Sequence, residues 1–185
     1  MNQPALAIPA ATPVLSSAEP RSAPSQPSPR PRLPEHRLTL KEVLDELAAD
    51  GLVARADLER IGAEARAERG ELHPLVVIAN KQLRHAQPPH PVLSLELLTE
   101  WLAGKVGLPY LRIDPLKLDI ASVERLLPFI SYEYAARYHI LPVATDEHRV
   151  VFATTEPYLT EWREVLRQTL RKDIERVIAN PLDIN

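Results

Sequence analysis

The chain has 185 residues, 45% hydrophobic and 25% charged, enough for one ordinary domain or two small ones and too few for a large enzyme. Lys and Arg total 22 against 25 Asp and Glu, a formal charge of −3 that gives no global attraction to nucleic acid or to an anionic membrane. With no cysteine, a disulfide scaffold and any thiolate metal site are excluded, and a reducing compartment is compatible.

Proline is distributed unevenly: nine of the 19 prolines precede residue 37, whereas the first glycine is Gly51 and the first aromatic is Trp101. Residues 1–37 mix Pro, Ala and Ser with a few charges and offer nothing large enough to offset the entropy of ordering. They are expected to form a disordered Pro-rich arm, extended where prolines fix φ. A secretory signal is not expected, because the first basic residue is Arg21. The longest apolar run, Leu75 to Ala79, falls far short of the ~20 residues that span a bilayer.

Thr39-Leu40-Lys41-Glu42 has the spacing of a capping box, so a first helix is expected to begin there. Leu38 and Val43 occupy staple positions, Leu40, Val43, Leu44 and Leu47 follow the helical period, and Gly51 is placed to end the helix. A second helix is expected over Ala56 to Arg69, with Leu58, Ile61 and Ala65 inward and Gly70 at its end. Pro74 suits the first turn of a third helix running to Leu83, although Leu75 to Ala79 alone also fits a buried strand. Three prolines make residues 85–92 a loop. Ser94 is expected to cap a fourth helix that turns Leu95, Leu98, Trp101 and Leu102 inward and ends at Gly107. Residues 38–108 thus read as a helical subdomain.

Beyond Pro109 the period changes. Tyr110 to Asp114 alternates like a strand, and short helices are expected over Asp119 to Leu127 and Ser131 to Tyr138. His139 to Ala144 and Arg149 to Ala153 flank the polar turn Asp146-Glu147-His148 as a β-hairpin, with Pro142 restricted to an edge or a strand start. Thr160 opens a helix with Trp162, Val165, Leu166, Thr169 and Leu170 on its inner face. Ile174 to Ile178 reads as another strand, and Asn180-Pro181 as the cap and first residue of a last helix. Residues 109–185 are therefore expected to be a small α/β subdomain with a three- to four-stranded sheet, and the chain as a whole α+β.

No catalytic constellation is legible. Gly104-Lys105 is followed by Val106 where a phosphate loop needs Ser or Thr, and Thr99 stands where its first glycine belongs, so no Walker A loop is present. The six histidines show no paired metal-ligand spacing, and no serine lies in a nucleophile elbow. Catalytic, cofactor and metal sites are accordingly not assigned. Arg163, Arg167 and Arg171 recur every fourth residue as a positive stripe, either a solvated face balanced by Glu161, Glu164 and Asp173 or a docking edge for an acidic partner.

From Trp101 onward the chain resembles a known family. Leu108-Pro109-Tyr110, Asp114-Pro115-Leu116-Lys117, Ala135 to Val143, Phe152 to Pro157 and Ala179 to Ile184 follow one another as in the N-terminal domain of type II secretion and type IV pilus assembly ATPases, the MshEN type. The likeness spans roughly residues 38–185. It implies a bacterial cytoplasmic assembly domain that docks its own ATPase motor to the cytoplasmic part of an inner-membrane platform protein. The domain would be peripheral to the membrane without inserting into it or binding nucleic acid. ATP and Mg would be bound by a motor domain that this chain lacks. Some pilus-type relatives instead bind cyclic di-GMP through two motifs that begin Arg-Leu-Gly and close with a glycine turn. Aligning Gly51-Leu52-Val53 with that turn maps the motif's apolar and turn positions onto Leu47, Gly51 and Leu52 but puts Glu42-Val43-Leu44 where Arg-Leu-Gly belongs. A carboxylate there repels a bis-phosphate ligand, so cyclic di-GMP binding is the alternative expectation rather than the leading one.

Overall fold

In the computed structural model the described residues are 35–54, 56, 57, 60, 61, 72–114 and 116–184. The expected arm up to residue 34 and most of the expected second helix lie outside them; of that helix, Ala56, Asp57, Arg60 and Ile61 are helical, and Ile61 is buried. The described residues belong to one compact unit.

Helix α1, Leu40–Ala49, starts on the expected capping box: the Glu42 N–H donates to Thr39 Oγ1, and the Glu42 carboxylate accepts from the Thr39 N–H. Its far end is a Schellman turn. Gly51 takes a φ of +70°, its N–H donates to the Ala48 carbonyl at 3.0 Å, and the Leu52 N–H donates to the Leu47 carbonyl at 2.9 Å. Helix α2 spans Pro74–Asn80, which settles the helix-or-strand ambiguity of Leu75 to Ala79. It stops three residues before the expected Leu83 because Gln82 adopts a φ of +50° and reverses the chain. Leu83 is buried for a different reason, since its carbonyl accepts from the Leu93 N–H at 2.7 Å across the proline loop. Helix α3, Leu95–Val106, is capped by Ser94 and ends at Gly107 in the left-handed conformation, as its sequence implies.

The expected strand at Tyr110 to Asp114 shrinks to one parallel bridge, Tyr110 to Ile178. Asp114 turns the chain away: its Oδ1 accepts from the Leu116 N–H and its carbonyl from the Lys117 N–H. Helix α4, Ile120–Glu124, is capped by Asp119 and ends before the expected Leu127, because Pro128 has no N–H to donate to the Glu124 carbonyl. A 3-10 turn over Leu127–Phe129 leads to α5, Tyr132–Tyr138.

The sheet has three strands in the order β1 (Ile140–Thr145), β2 (Arg149–Thr154), β3 (Asp173–Ile178). Strand β1 pairs antiparallel with β2, with the register shifting between Pro142 and Ala144, and it keeps Pro142 on the sheet edge. Strands β2 and β3 pair in parallel, joined by α6, Glu161–Leu170, and α7, Pro181–Ile184, closes the described chain. Only Trp162 and Leu166 of α6 are buried, so the expected inward placement of Val165 and Thr169 does not hold. The buried stripe of this helix is one residue wide per turn, leaving Val165 beside it and Thr169 with its hydroxyl donating to the Val165 carbonyl.

Period-two alternation divides the core. Val150 and Phe152 of β2 pack with Trp162, Leu166, Leu126 and Ile130, and the Phe152 and Trp162 rings meet edge-on at 5.2 Å. The alternate residues Val151 and Ala153 face the other way, toward Val143 and Ala179. Strand β3 spans two clusters: Ile174 belongs to the α6 cluster, Ile178 to the core of α1, α2 and α3. The helical layer and the sheet layer are thus sewn together at the end of β3. No helix among the described residues is long and apolar enough to cross a membrane.

Candidate functional site

The seam between the layers is polar, and it is built on the loop that leaves β2. Thr154 Oγ1 accepts from the Glu156 N–H at 3.1 Å, which turns the loop and aims the Glu156 carboxylate inward. Glu156 is only 4% exposed, and its Oε2 accepts from the Leu38 N–H at 2.8 Å. Burial pushes its pKa up, against the lowering effect of that hydrogen bond. His73 caps α2 from the other side: Nδ1 accepts from the Leu75 N–H at 3.3 Å, and Nε2 lies 3.2 Å from the Thr155 carbonyl. A single neutral tautomer, protonated on Nε2, satisfies both contacts. Burial drives the imidazole pKa down to about 4, so His73 Nε2 and Glu156 Oε1, 4.0 Å apart, do not face each other as a full ion pair at neutral pH.

A second set of contacts gathers on the same loop. Glu35 Oε2 accepts from the Thr160 and Glu161 N–H groups at 3.1 and 3.0 Å, and Oε1 from the Thr160 hydroxyl at 2.6 Å. The His36 ring stacks on Tyr158 at 4.8 Å, and Arg37 donates to the Arg137 carbonyl at 3.0 Å. The last three residues of the expected arm, 35–37, are thereby fastened to the folded unit. Glu35 and His73 stand in no motif of the sequence, and Glu156 enters only inside the Phe152 to Pro157 stretch of the family resemblance. Pro74 at the first helical position is the one local signal that places His73 at a cap.

The arginine stripe is only partly realised. Arg163 donates to the Ile174 carbonyl at 3.4 Å, and Arg167 is held by Glu164 through two bonds of 3.0 Å. Arg171 does not continue the helical row: it is the C-cap, with a φ of +52°. Arg167 and Arg171 nevertheless line one shallow cleft of about 360 Å³ with Lys172 and His148, bordered by Glu147 and Asp173, and Arg163 lies outside it.

Leu47, Gly51 and Leu52 do come together, as the Schellman turn that ends α1. Leu47 is completely buried, and the Leu52 carbonyl accepts from the Ala86 N–H at 2.9 Å. The Glu42 carboxylate is already engaged, by His36 at 3.0 and 3.1 Å and by the Thr39 N–H. Next to this turn, Asp50 accepts from Trp101 Nε1 at 2.8 Å and from Lys105 Nζ at 2.8 and 3.0 Å, which ties the end of α1 to α3. The Lys105 hydrogen bond is the main cause holding the Asp50 carboxyl below its ordinary range. Every motif position is therefore used for packing or capping.

Residues 106–185 match the MshEN domain. The chain is 36% identical over 143 residues, 75% of its length, to the type IV pilus assembly ATPase TfpB of Acinetobacter baylyi, and that stretch covers 23% of the relative. The chain thus spans about a quarter of the length of the curated relative it matches. Among solved structures, MshE with cdg aligns at a TM-score of 0.48 and 22% identity, covering 80% of this chain and 94% of that one. The N-terminal domain of XpsE aligns at 0.47 and 14% identity, covering 80% and 93%.

Proposed function

From an MshEN domain of the kind carried at the N-terminus of secretion and pilus ATPases, we propose that this chain is the non-catalytic assembly part of such a motor. In this reading it docks the motor to the cytoplasmic part of an inner-membrane platform protein and works in the cytoplasm, held at the membrane only through that partner. The observation that carries the reading is the match of residues 106–185 to the MshEN domain, continued upstream by homology to a pilus assembly ATPase. ATP and Mg belong to the motor domain and not to this chain, whose sequence has no Walker A loop.

The docking edge in this proposal is the exposed end of α6. Arg167, Arg171 and Lys172 converge on one cleft there, and a partner of acidic character complements them. Titration of the full chain against the cytoplasmic domain of the platform protein encoded with it tests the proposal. Saturable binding tighter than about 50 μM supports it, and no binding at that concentration with both partners folded removes it. Cyclic di-GMP has no place in this account, because Glu42 carries a committed carboxylate where the motif has an arginine. Calorimetry with that dinucleotide is expected to give no heat of binding.

A further inference from the structure

Helix α6 has an unusual first turn. Thr160 is its N-cap residue, yet the Thr160 side chain makes no capping bond. The orphan N–H groups of a helix start need an acceptor, and here a residue 125 positions earlier supplies it. Glu35 takes the Thr160 and Glu161 N–H groups and the Thr160 hydroxyl on one carboxylate. Burial raises the Glu35 pKa, but the Thr160 and Glu161 hydrogen bonds and the nearby Arg176 outweigh it and leave the group below its ordinary value.

The next three residues are fastened as well, and the anchors differ in depth. His36 stacks on Tyr158, Arg37 reaches the Arg137 carbonyl on the surface, and the Leu38 N–H enters the buried Glu156 carboxylate. Leu38 itself is buried in the helical core and begins the entry into α1. The segment therefore has a deep inner anchor at Leu38 and a shallow outer anchor at Glu35, joined by two residues. It crosses from the helical layer to the α6 end of the sheet layer. Burial and the nearby Arg163 disfavour the charge on Arg176, and the Glu35 carboxylate offsets part of that.

We propose that Glu35 to Leu38 is a releasable strap: the outer anchor opens while the inner one holds, so that whatever engages the chain ahead of residue 35 uncaps the first turn of α6. The strap is a conformational device of this chain and stands apart from the docking reading, since it rests on the Glu35 and Glu156 contacts alone. Released, it leaves the N–H groups of residues 160 and 161 without an acceptor and exposes a positive helix end beside Arg163 and Arg176.

Amide hydrogen exchange on the full chain, read residue by residue, tests this. In Glu35→Ala, exchange at Thr160 and Glu161 is expected to speed up about tenfold, the size of one lost hydrogen bond to a charged group. Glu35→Gln, which keeps an acceptor without the charge, is expected to fall between. Leu38 keeps its wild-type protection in both variants, and so do the amides of β2. Glu35→Lys, which places a third cation beside Arg163 and Arg176, should give the largest acceleration at residues 160 and 161. Glu156→Gln, which retains an oxygen for the Leu38 N–H, should leave the outer anchor in place. Unchanged exchange at Thr160 and Glu161 in both Glu35→Ala and Glu35→Lys overturns the strap. Acceleration spread evenly over Leu38, β2 and α6 also overturns it, because the segment would then be an ordinary part of one cooperative unit.

Discussion

Among the described helices, the first five and the 3-10 turn between α4 and α5 fall into two groups. Helices α1, α2 and α3 each bury three or four side chains, whereas α4, the following 3-10 turn and α5 bury none of their own. Both kinds are capped: Thr39 and Ser94 serve the first, Asp119 and Ser131 the second. The stretch from α4 to α5 is instead pinned by Leu126 and Ile130, which lie between its elements, while Ile120, Leu127, Phe129 and Tyr132 remain more than half exposed. Caps, the two anchors and the half-buried Tyr134, Ala135 and Tyr138 hold the second group, whereas fully buried side chains stabilise the first.

The largest test of that contrast is truncation within the two regions. Leu47→Ala, in the centre of the helical core, is expected to cost about 2–5 kcal/mol. Ile120→Ala on α4 is expected to stay within about 0.5 kcal/mol of wild type. Denaturant unfolding of both variants decides it, and similar losses would erase the distinction.

The polar seam gives the next effect, through pH. His73 is neutral in the folded state, with a pKa of about 4 against 6.5 in the unfolded chain. Between those values the unfolded state binds more protons, so stability falls as pH falls from about 6.5 toward about 4, by at most about 3 kcal/mol. Glu156 acts oppositely: its raised pKa gives stability present below 4.5 that is lost as pH rises. His139 faces His73 and also opposes its protonation. His73→Asn, which keeps a side-chain acceptor for the Leu75 N–H, is expected to flatten the limb above pH 4.5 in thermal melts across this range.

How much of this was legible in the sequence follows from where the signals are local. The capping box at Thr39, the glycine ends at Gly51 and Gly107 and the Ser94 cap all reappear in the structure, because each is settled within four or five residues. The hairpin and β3 were likewise readable from alternation. Leu83 misled because its spacing from Leu75 suits a helix, while the burial arises across a loop closed by Leu93. Val165 misled because the apolar period says nothing about how wide a strip the sheet covers. Glu35 and Glu156 could not be found locally at all, since their partners are more than a hundred residues away. The arginine row was visible, but its break at Arg171 depends on a left-handed cap that no spacing announces.

A smaller comparison concerns the caps themselves. Thr39→Ala and Ser131→Ala are each expected to cost about 1 kcal/mol in urea unfolding, although one helix is packed and the other is not. A much greater loss at Thr39 would mean that capping and burial cooperate in α1, sharpening the contrast rather than removing it.

The proposed assembly role is tested most directly by one paired titration. The full chain and its Arg167→Glu/Arg171→Glu variant, which reverses two of the cations lining the cleft, are titrated with the platform protein's cytoplasmic domain, and the melting temperature of each is measured in the same buffer. The variant is expected to bind at least about tenfold more weakly, a loss of about 1.4 kcal/mol, with its melting temperature nearly unchanged. Equal affinity in the two proteins, or a loss of binding matched by a loss of fold, would contradict it.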